Sequence, residues 1–516
     1  MRACLFLLAI VGACSANILR HQFYPQMDLV FQPLDTELQF RRPAVDSQER
    51  YIYEDNSDYP APRVVSKEFS SPFFSKVIRE EIPKYGDSVA WKGIHIAVGP
   101  KSPVNNKNDI ERIFSDAYRT LQHITEEDKQ KFHQTYETAI HAEGDHEHLN
   151  ATQLLQKNKY QVEEHTVQTD DGYILTMIRV LPREETTVLK RPVVFLMHGL
   201  LGSADDWLLM GPGKSLAYML VDAGFEVWLG NARGSRYSRR HVSKHPVQAD
   251  FWKFSIDEIA QHDLPAMIDY VLRTSEEDKV FYVGHSQGTT AFFALASTRP
   301  EYRRKIAMMY ALAPMVYMTN ARSPFVRMIA PNSPFFETLQ KQLGYGEFRL
   351  PKELIHTIGG DMCEKQVGCK YLCSNVNFVV SGLNPLNMDV DLIHEILSHL
   401  PAGASTRQMK HYGQALSSDE FRKYDYGIDT NTAVYGTTAP PKYNMTEVKV
   451  PVAIYWSEDD WLAHPMDVER LHRELPDVRD YYKVPEEHFT HMDFQFSRRA
   501  PVVINQRLVE SIKNHY

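Results

Sequence analysis

The chain has 516 residues, 43% of them hydrophobic and 24% charged, with a formal net charge of -9 at pH 7. That length and apolar content support a large core and two or three domains. The mild, well-mixed acidity excludes a basic footprint for nucleic acid, and no run reaches the roughly 18 uninterrupted apolar residues of a transmembrane helix.

Arg2, the apolar run over residues 5–11 and the small residues Ala13, Cys14, Ser15 and Ala16 read as a secretory signal peptide over residues 1–16. The mature chain is then expected in an oxidising lumen or outside the cell. Sequons at Asn150-Ala151-Thr152 and Asn444-Met445-Thr446 agree with that route and make Asn150 and Asn444 candidates for glycosylation. Cys4 and Cys14 leave with the signal peptide, and Cys363, Cys369 and Cys373 remain. One disulfide and one free thiol is the simplest account of that odd set. No Cys-x-x-Cys pair or neighbouring His-x-x-x-His completes a tetrahedral zinc site, so no metal is expected.

Residues 17–99 are polar, rich in Pro and Tyr and without a sustained period, which reads as irregular chain. Behind Asn108 and Glu111, the residues Ile110, Ile113, Phe114, Ala117, Tyr118, Leu121 and Ile124 recur at helical spacing. A second run opens at Thr125 and Asp128, so a helical hairpin is expected over residues 108–141. An N-terminal extension thus covers residues 17–145, and the main domain residues 146–516.

From residue 160 strand and helix patterns alternate, the mark of a mostly parallel sheet with helices on both faces. Residues 163–169 and 173–180 read as an opening strand pair across the turn Asp170-Asp171-Gly172. Residues 192–197, 226–229, 279–283 and 451–456 read as buried strands. Over about residues 315–447 the alternation lapses into helical stretches and Gly/Pro loops, read as a mainly helical cap or lid inserted into the sheet domain.

Gly284-His285-Ser286-Gln287-Gly288 follows the apolar strand at residues 279–283 and precedes a helical run over residues 289–296. This is the context of a nucleophile elbow, where a serine sits on a sharp strand-to-helix turn between two glycines. Acyl transfer by serine needs a base, a group that orients the base and donors for the oxyanion. On such a sheet the partners follow the serine in the order Asp or Glu, then His. The strand ending at Trp456 delivers Asp459 and Asp460 at its carboxyl end, and the strand near residues 481–484 is followed by His488 and His491. Asp460 is the preferred acid with Asp459 its rival, and pattern alone does not separate His488 from His491. Oxyanion donors are expected from the backbone N–H of Gln287 and from a loop after an earlier strand, where His198-Gly199-Leu200-Leu201-Gly202 offers the Leu200 N–H.

These segments, with Asn231-Ala232-Arg233-Gly234-Ser235, Leu386-Asn387-Met388, Pro401-Ala402-Gly403-Ala404-Ser405, Asp460-Trp461-Leu462-Ala463 and His491-Met492-Asp493-Phe494, resemble the acid lipase family, which includes gastric and lysosomal acid lipases. The resemblance spans roughly residues 149–516. It implies an α/β-hydrolase core with a cap and lid that hydrolyses triacylglycerols or sterol esters at a lipid–water interface, without metal, cofactor or colipase, in a secreted or lysosomal setting. By the same resemblance Ser286 is the nucleophile, Asp460 the acid, His491 the base, and Leu200 and Gln287 the oxyanion donors. It also implies a disulfide between Cys363 and Cys373, leaving Cys369 extra, and an acid working pH. Tyr371, Leu372, Phe378, Val379 and Val380 are candidates for the lid face and equally for plain core. Where the family carries an Asn-Met-Ser sequon, this chain reads Asn387-Met388-Asp389, so that glycan is not expected. A carboxylesterase of small esters and a non-catalytic lipid-binding protein are the competing readings.

Overall fold

The computed structural model describes residues 149–182, 191–323, 346–348, 387, 389 and 392–516, together with four short strands ahead of them. The expected signal peptide and helical hairpin, Cys363, Cys369, Cys373 and the lid-face candidates lie outside the described residues. The four short strands form two antiparallel pairs, Asp28–Val30 with Gln39–Arg41 and Asp87–Trp91 with Ile94–Val98, and belong to a compact unit separate from the sheet.

The main unit is organised by a nine-stranded mixed sheet. Its strands are β1 (Gln161–Gln168), β2 (Tyr173–Leu181), β3 (Val193–Met197), β4 (Glu226–Gly230), β5 (Arg240–His241), β6 (Val280–His285), β7 (Ile306–Leu312), β8 (Val452–Trp456) and β9 (Val478–Lys483). They lie in the order β9-β8-β7-β6-β3-β4-β2-β1, with β5 beside β2. The ladders from β9 through to β4 are parallel, and β1, β2 and β5 add antiparallel pairs. β3, β4 and β6 are buried along their whole length, as continuous apolar strands must be when helices cover both faces. The edge strands β1 and β9 instead have only exposed and half-buried positions.

The strand pair expected around Gly172 forms β1 and β2, with Gln168 opposite Ile174 and Gly172 at φ 96. β7 is not among the strands that pattern picks out, because its Ile-Ala-Met-Met-Tyr-Ala-Leu composition dilutes β-branched residues with Ala and Met. Helix α1 (Ala151–Lys157) opens the unit under a capping box, in which the Asn150 side chain accepts from Gln153 N. Helices α2 (Leu216–Asp222) and α3 (Leu264–Ser275) follow β3 and β4, and α4 (Gln287–Thr298) follows β6. α4 is buried continuously from Gln287 to Ala296, its first turn by the polar Gln287, Thr289 and Thr290 and the rest by the apolar run over residues 291–296.

Between β7 and β8 the chain contributes the helices Ile393–His399, Thr406–Leu416 and Ile428–Tyr435. The first is joined to the sheet domain by an apolar cluster of Leu209, Met210, Ile396 and Phe496, against which Met492 packs. Burying four such side chains contributes on the order of 1.5–3 kcal/mol each. The carboxyl ends of β3, β6, β8 and β9 converge on the loops that carry the expected site residues.

Candidate active site

β6 ends at His285 and α4 begins at Gln287, so Ser286 alone makes the turn, at φ 52 and ψ -116. A serine in that region stores on the order of 1–3 kcal/mol of strain. Hydrogen bonds fix it there: Ser286 N donates to Leu312 O at 3.1 Å, and Ser286 O accepts from Thr289 N at 2.9 Å and from Thr289 Oγ1 at 2.5 Å. The flanking glycines serve close approach rather than the positive φ. A Cβ on Gly288 would lie 2.3 Å from Met197 O, and one on Gly284 would lie 2.8 Å from the Gly288 carbonyl carbon. Both obstacles are backbone and cannot swing aside.

The two Asp/His alternatives separate into two pairs. His491 Nδ1 donates to Asp460 at 2.9 Å (Oδ2) and 3.1 Å (Oδ1), and both side chains are buried. Asp460 Oδ1 also accepts from Leu462 N and Ala463 N, each at 2.8 Å. Backbone donors therefore fix the carboxylate in direction. His488 Nδ1 faces Asp459 Oδ2 at 3.2 Å, with both side chains more than a third exposed.

The His491 loop is held from the elbow itself. His285, whose pKa burial drives well down, is neutral and donates from Nε2 to His491 O at 3.1 Å. The two rings lie 4.9 Å apart, centroid to centroid. Asp493 accepts from Thr490 N at 2.7 Å and Thr490 Oγ1 at 3.0 Å, closing the turn on the other side of His491. Burial, with the nearby Asp460 charge, raises Asp493 to about 7.

The loop after β3 runs directly past the serine. A Cβ on Gly199 would stand 3.1 Å from Ser286 Cβ, so glycine is what lets Leu200 follow so close. The loop closes as a turn, Gly202 N donating to Gly199 O at 3.1 Å. His198, brought to about 4 by burial, stays neutral; its Nδ1 donates to Gly199 O at 2.7 Å and its Nε2 accepts from Ala232 N at 3.1 Å. Gln287 is buried, and its side chain accepts from Gln408 Nε2 at 3.1 Å.

Arg233 has a structural part. Buried over the Tyr173 ring, it donates to Asp171 at 2.6 and 2.8 Å and to Asp263 Oδ1 at 2.7 Å. Asp170, Asp171 and His262 are the one group of metal-ligating type among the described residues, and Arg233 already occupies Asp171. Sequence reasoning gave no part to a buried cluster in which Asp205 accepts from His399 Nδ1 at 2.9 Å and Tyr237 OH at 2.6 Å. Burial opposes the charge on His399, but hydrogen bonds to Asp205 and Glu395 outweigh it and raise His399 to about 9. Only tertiary folding brings these residues together, and no spacing signals them. Asp389, where the family's sequon would end, forms an ion pair with Lys214 at 3.1 Å.

The family models for a partial alpha/beta-hydrolase lipase region and for the alpha/beta hydrolase fold match residues 151–211 and 192–345. The chain is 40% identical over 362 residues to Lipase 3 of Drosophila melanogaster, a match covering 70% of this chain and 92% of that protein. It is 39% identical over 367 residues to Lipase 1 of the same organism (70% and 79%) and 36% identical over 365 residues to the gastric triacylglycerol lipase of Bos taurus (70% and 90%). Sheet and relatives together define a carboxylic ester hydrolase of the α/β-hydrolase fold. Within that class, the chain belongs to the acid lipase family.

Proposed function

We propose that the protein is a secreted or lysosomal serine lipase acting on neutral lipid esters, triacylglycerol or sterol ester, at a lipid–water interface. The observation that carries this reading is the buried contact between His491 and Asp460 beside a serine held at positive φ. Relatives named as triacylglycerol lipases support the substrate class. Among the described residues no helix is long and apolar enough to cross a membrane, in keeping with approach to the lipid from the aqueous side.

In this mechanism His491 Nε2 takes the Ser286 proton as Oγ attacks the ester carbonyl carbon, and Asp460 holds the imidazole tautomer and stabilises the imidazolium. The backbone N–H groups of Leu200 and Gln287 stabilise the oxyanion, a contribution of about 3 kcal/mol per donor. The imidazolium protonates the departing alcohol, and water activated by His491 releases the acid and restores Ser286. The same reading puts glycans on Asn150 and Asn444 and a disulfide between Cys363 and Cys373, two cysteines outside the described residues. In the structure Asn444 is exposed, and its side chain accepts from Thr446.

The test is purified Ser286→Ala, checked for folding by circular dichroism, against triglyceride emulsion, sterol ester and short-chain esters from acid to mildly alkaline pH. Hydrolysis no faster than the buffer blank is expected from the variant, and highest specific activity on emulsified long-chain ester from the wild type. Normal turnover by the variant would remove Ser286 from the mechanism, and preference for dissolved short esters would remove the lipase reading.

A further inference from the structure

At rest the Ser286 hydroxyl does not engage His491. Ser286 Oγ donates to Met315 Sδ at 3.0 Å, while His491 Nε2 is buried with no hydrogen-bond partner among the described residues. A thioether sulfur is a weak acceptor and an imidazole nitrogen a strong one, so the hydroxyl rests on the poorer acceptor while the stronger one is left without a donor.

Met315 lies three residues past β7, and its backbone is pinned to the first turn of α4. Its N donates to Thr289 Oγ1 at 3.2 Å and its O accepts from Thr290 Oγ1 at 2.7 Å. The backbone cannot retreat, whereas the unbranched thioether has three rotatable bonds and adapts to irregular space. That space exists beside it. Met315 also lines a cavity of about 20 Å³, shared with the apolar Ile256, Met318 and Phe421 and with the charged Glu420 and Lys423. One residue therefore touches the serine and borders that cavity.

We propose that Met315 determines acyl specificity at this site, its thioether closing the acyl subsite between Ser286 and the cavity and swinging toward the cavity when an acyl group displaces it from the hydroxyl. The inference rests on the reading of Ser286 as nucleophile. It assigns the site a bound on acyl width near the carbonyl: straight chains slide past the thioether, and branching at the carbon next to the carbonyl collides with it. It also makes release of the hydroxyl to His491 a consequence of acyl binding.

The experiment compares the wild type with Met315→Ala, Met315→Val and Met315→Leu on p-nitrophenyl esters of straight and 2-branched acids. Each protein is also reacted with a small alkyl p-nitrophenyl phosphonate, in which Ser286 Oγ bonds to phosphorus, p-nitrophenolate leaves and His491 takes the hydroxyl proton. In Met315→Ala, kcat/KM for branched relative to straight acyl groups is expected to rise by about ten-fold or more, the scale of one or two methylenes in a pocket, with Met315→Val between. Met315→Leu, similar in size but without the acceptor, should keep the wild-type ratio and be phosphonylated several-fold faster. A branched-to-straight ratio in Met315→Ala and Met315→Val within about two-fold of wild type, in proteins that still form the phosphonate adduct, would overturn the proposal. If mass spectrometry finds no adduct on Ser286 in any of the proteins, wild type included, the nucleophile reading fails first and this inference with it.

Discussion

Asp459–His488 and Asp460–His491 are two pairs of the same residue types, drawn from the same two loops, and they differ in burial. Asp460–His491 is almost completely enclosed, and its carboxylate is aimed by two backbone N–H groups. Asp459–His488 is open to water on both sides. In water an ion pair of this kind is screened and worth about 0–1 kcal/mol, whereas a buried one is poorly screened and depends on every hydrogen bond being made. Composition and order in the chain are therefore equal between the pairs, and the difference lies in what the fold excludes from each.

The strongest way to break this comparison is to remove the acid from each pair in turn. Asp460→Asn keeps the shape but presents an amide to His491 Nδ1, favouring the wrong tautomer; a fall in kcat on the order of 10³–10⁴-fold is expected, with little change in KM. The measurement is steady-state kinetics on a soluble ester, with the melting temperature as a check on folding. A loss below about ten-fold would mean that His491 does not depend on Asp460 for its orientation.

How much of this was legible in the sequence differs from element to element. The buried strands β3, β4, β6 and β8 stand out because a strand covered on both faces must be continuously apolar. β7 does not, because Ala and Met carry little strand signal. The elbow is legible because backbone approach at Gly284 and Gly288 admits no Cβ, which writes two glycines at fixed spacing. The positive φ, however, falls on Ser286 rather than on either glycine. The sequence favours Asp460 over Asp459 only narrowly, since the difference depends on which carboxylate receives the N–H groups of Leu462 and Ala463. Met315 carries no sequence signal, because its relation to Ser286 exists only once β7 and α4 are packed side by side.

A smaller effect sharpens the same contrast through pH. Asp493 is buried next to the Asp460–His491 pair, and its carboxyl is raised from the ordinary 3.8 to about 7. An acid whose folded pKa is raised keeps its proton in the native state. Its contribution to stability is therefore complete below about pH 4 and is lost as the pH rises through about 7. Asp206, raised to about 8 by burial and the Asp205 charge, acts in the same direction. Neutral His198 and His285 act the other way below about pH 6.5, so the test is a difference between proteins: Asp493→Asn, which keeps an acceptor for Thr490 but cannot ionise, should gain melting temperature relative to the wild type as the pH rises from about 4 to about 7. The check is calorimetry of both proteins across the range. A profile unchanged by Asp493→Asn would show that the group is already ionised in the native state.

The smallest effect belongs to the exposed pair, and it tests the comparison from the other end. His488 sits at φ 56, so replacing it disturbs a strained backbone as well as a charge. Asp459→Asn is the cleaner probe, since it removes one charge from a side chain already 41% exposed and leaves the His488 backbone alone. Because water solvates His488 as readily as Asp459 does, the expected cost is under about 1 kcal/mol and should shrink toward zero near 1 M salt, where charges are screened beyond about 3 Å. Turnover should stay within about two-fold of wild type, because the loop that carries His491 is anchored from His285 and Thr490 and not from Asp459. A loss of turnover in Asp459→Asn comparable with that in Asp460→Asn would place both carboxylates in one coupled network, and burial would no longer account for the difference between the pairs.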